Sequence, residues 1–148
     1  MFKPSRILVP TDMSEHSDKA IRQALDIAKQ FHSEVFVLHV IKDPTQLCTV
    51  DYCLSEELQN QYAEEVFEAA RRGVWSQLVK FRSMGDINIV SEVKAGVPHD
   101  AILKEAEDKG VDLIVLAAQG ATGLAMHLMG GVARHLLQAA KCPVLLVR

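Results

Sequence analysis

No cluster of basic residues longer than Arg71-Arg72 occurs in this chain, and its formal net charge is −3. Neutralising a nucleic-acid backbone takes a concentrated basic patch, so no nucleic-acid partner is expected. No apolar stretch approaches the roughly 20 residues that span a bilayer. The opening Met1-Phe2-Lys3-Pro4-Ser5-Arg6 enters a short apolar run without the pattern of a secretory leader. These absences predict a soluble, cytoplasmic protein with no membrane partner. Cysteine is scarce: three residues, an odd number without an export signal, are expected to be reduced thiols. Cys48 and Cys53 stand five apart, but no Cys/His pair follows at zinc spacing, so they read as unrelated thiols and no metal site is expected. Cys142, beside Pro143 at a strand start, reads as a packing residue.

Catalytic signatures are missing as well. There is no Gly-x-x-x-x-Gly-Lys-Ser/Thr, hence no lysine and hydroxyl clamp for nucleoside triphosphate hydrolysis. There is no Gly-x-Ser-x-Gly elbow and no His-Glu-x-x-His, and no Gly-x-Gly-x-x-Gly follows the first strand. No catalytic residue is assigned, and any turnover of a nucleotide is expected to be slow.

What is present is a regular alternation. The 148 residues, 49% apolar and 24% charged, suit one globular domain spanning residues 1–148. Ile7-Leu8-Val9-Pro10 is a short apolar strand ended by the turn residues Pro10-Thr11-Asp12. Asp12 or Ser14 caps the helix that follows, to about Phe31, with Ile21, Ala24, Leu25 and Ala28 on one face. Val35 to Ile41 is a second strand, and residues 42–54 read as a loop. From Ser55 to about Ser83 the positions Leu58, Tyr62, Val66, Ala70, Val74, Leu78 and Phe81 keep a helical stripe, with Gly73 as a local weakness. Ile87 to Val93 alternates like an edge strand, and Gly96-Val97-Pro98 opens a helix ending near Gly110. Val111 to Leu116, a helix from Gly131 to Ala140, and Cys142 to Val147 complete the chain. Five strands separated by helices, without hairpin signals, predict an α/β fold. It is one doubly wound domain whose parallel five-stranded sheet carries helices on both faces.

In such sheets ligands bind at the carboxyl ends of the strands, where strand order reverses. Strand four runs into Leu116-Ala117-Ala118-Gln119-Gly120, and nine residues later Gly130-Gly131-Val132 opens a helix. Glycines let a backbone approach phosphate oxygens, and a helix N-terminus offers unbonded N–H groups and a positive dipole end. The pattern points to a nucleotide; two glycines serving only as turns are the plainer alternative. Asp12 suits ribose hydroxyls or an adenine amino group, or else only caps its helix. His39 reads as a hydrogen-bonded core histidine, while His127 and Arg134 are within reach of phosphate but equally read as exposed basic residues common near any loop.

Several pieces together resemble the universal stress protein family: Ile7-Leu8-Val9-Pro10-Thr11-Asp12-Met13-Ser14, Val37-Leu38-His39-Val40, Gly96-Val97-Pro98, Asp112-Leu113-Ile114-Val115, Gly120-x9-Gly130, and Cys142-Pro143-Val144-Leu145-Leu146-Val147. The resemblance implies a Rossmann-like, adenine nucleotide alpha hydrolase-like domain that is commonly dimeric. It also implies ATP or another adenine nucleotide as ligand, with or without Mg2+. Adenosine would lie near Asp12 and Val40, at a turn shaped by Pro10 and Thr11, and phosphates on Gly120, Gly130, Gly131 and Val132, with Leu116 and Ala117 as further nucleotide-binding positions. The nucleotide-binding loop of the family reads Gly-x2-Gly-x9-Gly-Ser/Thr. This chain keeps the spacing but has Ala117 at the first position and Gly131 at the last. Three readings follow: a nucleotide-binding regulatory protein acting on an unknown protein partner, a nucleotide-free dimeric interaction module, and a slow ATP hydrolase. The family topology also implies that the last strand is a sheet edge, through which a homodimer would form.

Overall fold

The computed structural model describes residues 1–44, 53–120 and 129–148. Five strands, β1 (Arg6–Pro10), β2 (Glu34–Ile41), β3 (Ile89–Ala95), β4 (Leu113–Ala117) and β5 (Val144–Val147), form one sheet in the order β3-β2-β1-β4-β5. Every neighbouring pair is parallel. The helices are α1 (Glu15–Phe31), α2 (Glu56–Val79), α3 (Pro98–Asp108) and α4 (Gly131–Ala139). The chain winds outward from β1 through β2 to β3, then returns to the other side of β1 with β4 and β5. The reversal falls between β1 and β4, so the connections leaving their carboxyl ends run to opposite sides of the sheet and leave a crevice between them.

Strand periodicity divides the core between two faces. Ile7 and Val9 of β1, with Leu113 and Val115 of β4, pack under α1 and the C-terminal half of α2, where Ala20, Ile21, Ala24, Leu25 and Val74 close the layer. Leu8, Ile114 and Leu116 point to the opposite face and meet Ile102 and Ala106 of α3 and Ala133 and Leu136 of α4. Both faces being covered explains why the central strands read as continuous apolar runs rather than alternating ones.

Several boundaries move. β3 begins at Ile89, not Ile87, because Gly85 (φ 112°) turns the chain and Ile87 N donates to Gly85 O at 3.1 Å. β4 and β5 start two residues later than the apolar runs suggest, and β4 extends to Ala117. The larger correction concerns α2. Its expected stripe is buried only in the second half, at Ala70 and Val74, while Leu58 and Tyr62 are 50% and 44% exposed. A long helix can keep its apolar period beyond the length of sheet available to cover it. Gly73 is also not a weakness: a Cβ there would stand 2.4 Å from Met13 Sδ, so the missing side chain makes the notch in which Met13 sits. Cys53 is disulfide-bonded, correcting the reading of unpaired thiols, and Cys48 lies outside the described residues. Among the described residues no helix is long and apolar enough to cross a membrane.

Candidate functional site

The crevice is built on the turn after β1. Thr11 N donates to Leu38 O at 2.8 Å, and the His39 ring Nδ1 lies 2.7 Å from Thr11 O, where it acts as donor because a carbonyl only accepts. Thr11 itself is buried, and its hydroxyl donates to Gln77 Oε1 at 2.6 Å while accepting Met13 N at 3.0 Å. Gln77 Nε2 in turn donates to Ser17 Oγ and to Asp18 Oδ1, at 3.0 and 2.7 Å. A buried polar group without partners costs about 1–3 kcal/mol, so this closed set fixes one geometry of the turn against α1 and α2. The Thr11 side chain therefore faces inward and shapes the crevice wall through its backbone.

Asp12 follows on the outer side and is exposed. Its Oδ1 accepts Ser14 N at 3.0 Å and also the Ser14 hydroxyl, while Ser14 Oγ caps α1 by accepting Ser17 N at 3.3 Å. The cap is Ser14, and Asp12 braces it. The direction of the Asp12 carboxylate is thereby set, with Met13 in the left-handed region (φ 65°) completing the turn.

The loop after β4 comes to the same place. A Cβ added at Gly120 would lie 3.2 Å from Asp12 Oδ2, so the two segments touch and only glycine leaves the carboxylate unshifted. The Ala117 methyl packs against the α1-side core. The departure from glycine at this position is thus absorbed by the core instead of standing in the loop. Gly130 N donates to Ala118 O at 3.1 Å, closing the base of the loop. That bond occupies the Gly130 N–H and leaves Gly131 and Val132 as first-turn donors without intrahelical carbonyl partners, the first such bond being Arg134 N to Gly130 O. No side chain caps α4, and a Cβ at Gly131 would meet nothing within 4 Å.

Val40 reaches the crevice through its backbone. Leu38 O faces β1, where it accepts Thr11 N; two residues on, Val40 N–H and C=O face the same side, past the point where β1 has turned away. Its side chain packs on the α3 face of the core, as does that of the buried Leu116. Pro10 ends β1 opposite Leu38. The structure therefore gathers Pro10, Thr11, Asp12, Ala117, Gly120, Gly130, Gly131 and Val132 around the β1/β4 crevice, with Val40 at its flank. His127 lies outside the described residues. Arg134 is exposed and forms no ion pair among the described residues. Gln77 and Met13 were not singled out in the sequence. A glutamine on the buried face of an otherwise apolar helix stripe is the only signal that marks Gln77.

The chain matches the model of the universal stress protein family over residues 3–148. It is 35% identical to the universal stress protein MJ0531 of Methanocaldococcus jannaschii, covering 97% of this chain and 81% of that protein. The solved structure of the hypothetical protein MJ0577 superposes with a TM-score of 0.82 at 28% identity, covering 99% of this chain and 96% of the other. A universal stress protein solved in complex with cAMP superposes with a TM-score of 0.73 at 19% identity over 99% of this chain and 98% of the other, a likeness of fold.

Proposed function

The chain belongs to the universal stress protein family, and on that basis we propose that it binds an adenine nucleotide in the β1/β4 crevice and acts as a nucleotide-responsive regulatory protein. One observation carries the reading: Gly120 and Asp12, 108 positions apart in sequence, meet so closely at the switch point that a Cβ would crowd the carboxylate at 3.2 Å. A turn glycine with no ligand role does not need that approach. Asp12 would accept from ribose hydroxyls or the adenine amino group, the Val40 backbone would pair with the adenine edge, and the N–H groups of Gly131 and Val132 would hold phosphate at the positive end of α4. A universal stress protein of the same fold has been solved with cAMP, so this architecture can hold an adenine nucleotide. The homodimer belongs to the same proposal: β5 is an edge strand, and a two-fold copy would close it.

Calorimetry with ATP, ADP and AMP, each with and without Mg2+, tests the reading. Saturable binding that weakens at least tenfold in Asp12→Ala is expected. Absence of heat and of thermal shift at millimolar nucleotide would leave the fold as a nucleotide-free interaction module.

A further inference from the structure

We propose that the edge of β3, on which no further strand pairs among the described residues, is a docking site for an acidic, extended segment of another protein, added as a sixth strand beside α2. The backbone defines the site first. Asn88 O accepts Val35 N and Gly96 N donates to Ile41 O, both at 2.9 Å, so the even-numbered peptide groups of this stretch face β2. Backbone direction alternates along a strand, and the N–H and C=O groups of Ile89, Ser91, Val93 and Ala95 therefore face away from the sheet. Seven residues of edge strand present enough donors and acceptors in one row to template another strand.

Side chains define what that strand should carry. A cleft of about 630 Å³ runs between β3 and α2, lined by Arg71, Arg72, Trp75, Ser91, Glu92 and Val93. Trp75, the single tryptophan of the chain, is 61% exposed, with the Arg82 guanidinium 5.4 Å from its ring centre. The helix that carries it is anchored, because Val74 and Gln77 of the same turn are 1% and 3% exposed on the inner face. Exposed tryptophan and arginine on a fixed support are the residue types that concentrate binding energy at interfaces. Arg71 pairs with Glu68, and Arg72 forms no ion pair among the described residues. The carboxylate in the lining, Glu92, is engaged by Lys109 at 3.0 Å and Lys94 at 3.8 Å. With Arg71 and Glu92 already paired, the charge in the cleft lining that has no ion pair among the described residues is the Arg72 guanidinium. A two-fold pairing of β3 with β3 of a second copy would bring two unpaired Arg72 side chains to one edge, which like charges oppose. Carboxylates at alternate positions of a foreign strand would instead meet the arginines, while its backbone satisfies the edge.

Trp75 fluorescence reports on the site directly. The probe is a nine-residue peptide alternating valine and glutamate, with controls in which lysine replaces glutamate or in which alternate peptide nitrogens are methylated. The acidic peptide is expected to change Trp75 emission saturably, and Arg72→Glu to weaken it at least tenfold. Ser91→Pro, which removes an outward N–H but no bond to β2, is expected to abolish it. Should Ser91→Pro fail to fold, the methylated peptide gives the same test with the protein unchanged, and its failure to bind is expected. Equal binding of the lysine or methylated peptide, an equal response to a single-stranded oligonucleotide, or no response to the acidic peptide at millimolar concentration would each overturn the proposal.

Discussion

At the scale of single residues, the two glycines opening α4 do different work. Gly130 sits at the helix cap with φ −60°, a conformation open to any residue, and its nearest neighbour to an added Cβ is Ala118 O at 3.8 Å. Gly130→Asp is therefore expected to leave stability within a few tenths of a kcal/mol, aspartate being a good cap. It also puts a negative charge where phosphate would lie, so nucleotide binding should fall below detection in calorimetry while the melting temperature holds. Gly131→Ser meets open space and restores a hydroxyl; one net hydrogen bond of about 1 kcal/mol should tighten nucleotide affinity roughly fivefold. Unchanged affinity in both variants would remove phosphate from this helix end. Gln77 acts at a distance by holding Thr11. Gln77→Leu keeps the volume but removes the acceptor of the Thr11 hydroxyl and the donor to Ser17 Oγ; Thr11 Oγ1 can still donate to Ser17 Oγ at 3.0 Å, so a loss of about 1 kcal/mol in denaturant unfolding is expected.

Between elements, the amino end of the sheet is tied by one carboxylate. Asp112, just before β4, accepts Ser5 N at 2.9 Å, Ser5 Oγ at 2.7 Å and Arg6 N at 3.0 Å, joining β4 to the start of β1. Partial burial pushes its pKa up, but these donors outweigh burial and hold it below 3.8. A group whose folded pKa is depressed contributes stability above its unfolded pKa, and that contribution is lost as pH falls through the folded value. The acid limb of stability below about pH 4 should therefore flatten in Asp112→Asn. The same variant should lose about 1–2 kcal/mol at neutral pH, since hydrogen bonds to a charged acceptor exceed neutral ones. Urea melts at pH 3, 5 and 7 for both proteins check the sign. An equal acid slope in the two would reject the assignment.

For the molecule as a whole, the sheet leaves two edges, and their chemistry differs. β3 lies beside the arginines of α2, whereas β5 carries only valine and leucine, with Leu145 37% exposed. A strand whose own side chains are all apolar can pair antiparallel with its copy at the edge, and a two-fold axis closes the assembly at two chains. Light scattering after gel filtration should give about twice the 16.4 kDa chain mass. Leu145→Lys, which charges the edge without touching the buried core, should shift the protein to monomer. A monomeric parent at micromolar concentration would rule the β5 dimer out.

The sequence by itself determined the parallel α/β class, the number and order of the elements, and the three segments that form the crevice. Each rests on local chemistry: uninterrupted apolar strands, a capping residue at Asp12 or Ser14, Pro98 in a first turn, glycines at fixed spacing. Pattern alone could not say which part of a periodic stripe finds a surface to cover it. Leu58 and Tyr62 keep the helical period yet lie beyond the sheet, because burial depends on where α2 crosses β3. Gly73 illustrates the same limit, since a helical glycine looks destabilising until Met13, 60 positions away, is seen to occupy its space. Likewise Ala117 departs from the glycine of the loop pattern, and only the fold turned its methyl into the α1-side core. Contacts across long stretches of sequence carry no local signature; they arise when the strands order themselves, and it was that ordering which set Asp12 against Gly120.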